Sequence, residues 1–131
     1  MYVDLKIDKS SKYPGYSEFS GRKCLIVLNS LSFESLKHEI IHIKQYINNK
    51  FHYIRYMLND KYRLKAELEA YSEKIENLTL DEIENFAKML RQQYMLSIDL
   101  IDINLEIFKF RDTLKRKNNN LGININIKEI I

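Results

Sequence analysis

A chain of 131 residues, 45% hydrophobic and 30% charged, carries enough apolar material for one modest core and too much for a disordered polymer. Its net charge of +3, with no basic stripe interleaved with aromatics, argues against a nucleic-acid partner. The longest purely apolar run, Cys24-Leu25-Ile26-Val27-Leu28, falls far below the ~20 residues of a membrane span, and a lone cysteine excludes an internal disulfide and makes a cytoplasmic setting the default.

In chain order, Met1 to Lys6 has no basic-then-apolar signal organisation. Val3, Leu5 and Ile7 alternate with Asp4, Lys6 and Asp8, which predicts a strand with one buried face. Ser10 to Gly21 holds the only proline, Pro14, followed by Gly15, and reads as a loop or irregular hairpin connection. Lys23 to Asn29 is more continuously apolar, as in a strand flanked on both faces. Cys24 within it reads as packing rather than as a nucleophile. Ser30 or Ser32 offers an N-cap for a helix from about Phe33 to Asn49.

That helix carries His38-Glu39-x-x-His42. Residues four apart on a helix stand one turn above each other, so both imidazoles can reach one metal ion, and the intervening carboxylate can accept a proton from water. Counted at about 100° per residue, Leu36, Ile40, Ile43 and Ile47 fall on one flank. His38, His42 and Gln45 fall nearly opposite, with Glu39 between. One side is thus expected to meet the core and the other to line a cleft.

Phe51 to Leu58 is a short tyrosine-rich segment. Asn59-Asp60 marks a break, and a helix from about Asp60 to Asn77 is expected beyond it. Leu64, Leu68, Tyr71 and Ile75 form its apolar stripe. Glu67 projects beside that stripe, while Glu69 and Glu73 project to the solvated side. Glu67 is therefore the preferred third ligand and Glu69 the second choice. His52 is expected at the surface. Tyr56 or Tyr62 is positioned to donate a phenolic hydroxyl to a developing oxyanion. Thr79 and Asp81 open a helix with Ile83, Phe86, Ala87 and Leu90 on one side. Asp99 to Lys117 reads as a further helix whose apolar residues mix both periods. Ile123, Ile125 and Ile127 then alternate with polar residues, as in a terminal strand or docking arm over 120–131.

Leu36-Lys37-His38-Glu39-x-x-His42-x-x-Gln45-Tyr46, followed by Glu67-Leu68-Glu69-Ala70-Tyr71 and preceded by the strand Gly21 to Leu28, resembles the zincin metallopeptidases. Within them it is most similar to small bacterial and phage-encoded peptidases of the gluzincin type. The resemblance covers roughly residues 20 to 76. It implies Zn²⁺ held by His38, His42 and Glu67, with Glu39 as catalytic base. Gluzincins often carry an aspartate four residues after the ligand glutamate; Tyr71 stands there, so the groups orienting the ligands must differ, with Tyr71 and Tyr56 the candidates.

The expectation is thus a single α+β domain over 1–131, zincin-like: a small sheet, an H-E-x-x-H helix, a second ligand-bearing helix and further packing helices. Its function would be hydrolysis of a protein or peptide substrate by metal-activated water, in the cytoplasm or a phage-associated setting. The alternative is a catalytically weak or inactive zincin-fold structural or interaction protein inside a phage or other assembly. Oligomerisation through the terminal strand, with no nucleic acid or membrane partner, completes the set of expectations.

Overall fold

The computed structural model describes the backbone of residues 2–130 and the side chains of residues 3–115. The chain divides into two compact units, residues 1–59 and 60–131. It is α+β, with a three-stranded sheet in the first unit. Among the described residues no helix is long and apolar enough to cross a membrane.

The first unit comprises β1 (Tyr2–Ile7), β2 (Gly15–Ser20), β3 (Lys23–Leu28), α1 (Phe33–Asn48) and α2 (His52–Leu58). The strand order is β1-β3-β2, so the most apolar strand takes the centre. β1 runs parallel to it and β2 antiparallel. A strand stands where a loop or irregular connection was expected at 15–20. The cause is the turn that follows: Ser20 pairs with Lys23, leaving Gly21 and Arg22 as a two-residue connection. Gly21 takes φ +59, a value that glycine tolerates at the first central position of a hairpin turn. With the register so fixed, a sequence rich in Ser and Tyr is carried along the ladder of β3.

Cys24, Ile26 and Leu28 pack with Ile43 of α1, and Phe19 and Leu36 close the cluster. The Ser32 hydroxyl accepts from the Ser35 N–H to cap α1. Its buried seam is narrower than expected: Ile40 and Ile47 remain 38% and 57% exposed, and Glu39 is buried instead. α1 packs on β2 and β3 and leaves the same side of β1 bare. Val3, Leu5 and Ile7, expected to be buried, are 42–48% exposed. His52 also departs from expectation. It is buried at the start of α2 with its ring beside Tyr56, whereas Tyr53, Ile54, Met57 and Leu58 face outward.

The second unit comprises α3 (Asp60–Ala70), α4 (Ser72–Glu76), α5 (Leu80–Gln93) and α6 (Leu100–Ile130). The single helix expected over 60–77 is interrupted at Tyr71, although Tyr71 N–H still reaches the Glu67 carbonyl and Ile75 N–H the Tyr71 carbonyl, both at 2.9 Å. The expected stripe is kept across the interruption, since Leu64, Leu68 and Ile75 are core residues and Tyr71 packs against them. A capping box sets the start of α5: Thr79 accepts from the Glu82 N–H, and the Glu82 carboxylate accepts from the Thr79 N–H. Hydrogen bonding to Thr79, its side chain first and then its backbone, holds the Glu82 carboxyl below its ordinary range. In α6 the mixed pattern resolves in favour of the helical period. Ile103 and Ile107, four apart, are fully buried, while Ile101, Leu105 and Phe108 are exposed. The strand expected over 120–131 is not formed: α6 continues to Ile130, and the side chains of that stretch lie outside the described residues.

Candidate metal centre

His38 and His42 sit one turn apart on α1, and their Nε2 atoms are 3.1 Å from each other. The rings meet edge to face, with centroids 4.8 Å apart at 76°. Two imidazole nitrogens each 2.0–2.1 Å from a zinc ion, at a tetrahedral angle, would stand about 3.3 Å apart. The helix therefore holds this pair near the spacing that one cation requires. The His42 Nδ1 is 2.9 Å from Gln45 Oε1. An amide oxygen can only accept, so Nδ1 carries the proton and the Nε2 lone pair is left for a metal.

Glu67 contributes the third donor. One ligand atom from each of His38, His42 and Glu67 lies within 4.8 Å of the other two, so the three can hold a metal ion. Glu67 is 1% exposed, and Leu64, Ala66, Leu68 and Ala70 of the same helix are buried around it. A carboxylate that deep is stable only with donors or a cation to offset its lost hydration. Glu69, the second choice, is exposed, as its place on the opposite flank of α3 requires.

Glu39 is held separately from the ligand atoms. It is 4% exposed, and Ser17 Oγ of β2 donates to its Oε2. Gly15, two residues earlier on the same strand, lies close to both groups: a Cβ there would crowd Leu28 Cδ2 at 2.8 Å and would meet Glu39 Cγ at an ordinary contact distance of 3.6 Å. β2 thus seats the carboxylate, with one oxygen engaged by Ser17. Burial, then the nearby Glu39 charge, pushes the Cys24 thiol above its ordinary pKa, consistent with a packing residue and not a nucleophile.

Of the three tyrosines considered as orienting or oxyanion groups, Tyr56 stands beside His42 with ring centroids 6.1 Å apart. Tyr71 lies in the core of the second unit. Its hydroxyl is 2.9 Å from that of Tyr94, and its ring meets Phe86 edge-on. Gln45 and Ser17 were assigned no role from sequence. Gln45 could have been found from its helical spacing of three from His42. Ser17 could not, because its contact with Glu39 spans 22 residues and depends on a strand hidden in a Ser-rich stretch. No family model, no curated protein and no solved structure matches the chain.

Proposed function

We propose that the protein is a zinc-dependent peptidase of the gluzincin-like zincin type. The observation that carries the reading is the convergence of three metal donors, His38, His42 and Glu67, with a further buried carboxylate, Glu39, held on β2 and outside that donor set. A metal site without hydrolytic function has no need of a further buried carboxylate in the same motif.

The donor set fits zinc: neutral imidazole nitrogens and one carboxylate are among its preferred protein ligands, and three protein ligands leave a position open. Zinc bound there would supply Lewis-acid polarisation and lower the pKa of water. The chain's own groups do the rest. Gln45 fixes the tautomer of His42. Ser17 engages Glu39 Oε2, leaving Oε1 to accept a proton from the attacking water. Glu39 then returns that proton to the leaving amine, as a general base of this class does. Tyr56, beside His42, supplies the phenol for the developing oxyanion.

The Tyr71–Tyr94 pairing favours a second reading, in which a zincin-like fold serves as a structural or interaction protein. Tyr71 is occupied in the core where many gluzincins place an orienting carboxylate. Glu39→Gln separates the two. Gln retains an oxygen that accepts from Ser17, so metal content by elemental analysis and the circular-dichroism spectrum should both be unchanged. Hydrolysis of a peptide library should fall by ~10²–10⁴. Zinc-dependent cleavage at full rate in Glu39→Gln would overturn the mechanism, and no cleavage by either form would favour the second reading.

A further inference from the structure

β1 is an edge strand with one sheet neighbour, β3, so among the described residues the backbone groups on its other side have no strand partner. Its residues pair in register with β3: Val3 with Cys24, Leu5 with Ile26, Ile7 with Leu28. Directly paired residues project to the same side of a sheet, so Val3, Leu5 and Ile7 continue the apolar row that α1 covers on β3. On β1 that row is 42–48% exposed. The flank of α1 beside it is also apolar. Glu39 and Tyr46 reach toward β2 through Ser17 and Phe19. The opposite flank of the seam, with Phe33, Ile40 and Ile47 at seven-residue spacing, therefore leans toward β1, and these three are 73%, 38% and 57% exposed.

The charges on the other side of β1 select the occupant. We infer that β1 pairs antiparallel with β1 of a second copy of this chain, centred on Leu5, making one sheet continuous across a twofold dimer. In that register Leu5 faces its twin, Val3 faces Ile7, Asp4 faces Lys6 and Lys6 faces Asp4. The apolar rows join on the α1 side, and each cross-strand charge pair on the far side is of opposite sign. Centring on Asp4 sets Asp4 against Asp4. Centring on Lys6 sets Lys6 against Lys6 and Asp4 against Asp8. A one-residue slip of either strand sets apolar residues against charged ones and splits the apolar rows between faces. Charges on an edge strand usually deter pairing; here the alternation is self-complementary in one register, as a twofold interface requires.

Charge reversal tests the register directly. The wild-type chain should dimerise in sedimentation equilibrium at micromolar to hundred-micromolar concentration. Asp4→Lys alone creates two lysine–lysine oppositions, and Lys6→Asp alone creates two between aspartates. Each should weaken the dimer by at least about tenfold, with circular dichroism showing the fold kept. An equimolar mixture of the two single variants places opposite charges across the seam again and should form a heterodimer. The double variant Asp4→Lys/Lys6→Asp should recover the homodimer. A wild-type chain that stays monomeric throughout, or single variants that dimerise as wild type does, would overturn the inference. So would a mixture no tighter than its components. None of these outcomes depends on the metal centre.

Discussion

His38, His42, Glu67 and Gln45 make different demands on a bound ion, and their substitutions should be graded accordingly. Removing His38, His42 or Glu67, whose donor atoms converge, takes away a ligand, and each alanine variant should lose more than about a hundredfold in zinc affinity, beyond the roughly 10–100-fold typical of groups that orient a ligand. Gln45→Ala removes only the acceptor for His42 Nδ1 and should fall within that smaller range. Glu69→Ala, at an exposed position, should change nothing. Competition against a chromophoric chelator measures all five. Equal losses at Glu67 and Glu69 would mean the carboxylate ligand has been misassigned. The grouping of His38, His42 and Glu67 was legible in the sequence because helical periodicity alone decides which side of α1 and α3 a residue faces. The seat of Glu39 was not, because it depends on Ser17 of β2, and no local pattern relates a strand residue to a helix 22 positions on.

At the level of elements, the second unit is fastened at the start of α3. The Asp60 carboxylate accepts from Ser97 N–H at 2.7 Å and from the Arg63 guanidinium, whose Nε donates to the Tyr94 carbonyl at 2.9 Å. The connection between α5 and α6, where Met95 takes φ 51, is thereby tied to α3. The Ser97 bond first, then Arg63, holds the Asp60 carboxyl below its ordinary value. A carboxyl depressed on folding stabilises the native state above its unfolded pKa, and that contribution is lost as pH falls through the folded value. Asp60→Asn should therefore lower the denaturation midpoint at neutral pH. The gap from wild type should close as the pH is taken below the ordinary aspartate range. A gap that stays constant with pH would assign the effect to packing. Element identity was legible wherever the period was unmixed, as in β3, α1 and α5. It failed where a partner decides the outcome: β2 exists because β3 offers a ladder, and the apolar row of β1 is exposed because α1 packs on β2 and β3.

Taken whole, the chain places its three-stranded sheet in one compact unit and its longest helix, α6, in the other, and the only cysteine of the sequence falls in the first. Cys24 is 2% exposed on the central strand, packed with Ile26, Leu28 and Ile43, and its thiol is held protonated by burial. It is thereby a built-in clock for one half of the molecule. A disulfide reagent can modify it only during excursions that lift α1 from the sheet or part the strands, so the labelling rate measures the opening of residues 1–59. Gly15→Ala, which crowds Leu28, should speed labelling, whereas Asp60→Asn should leave it unchanged if the two units open independently and speed it if they open together. One sulfur atom, silent in the chemistry of the site, thus reports whether the protein yields as one cooperative body or as two.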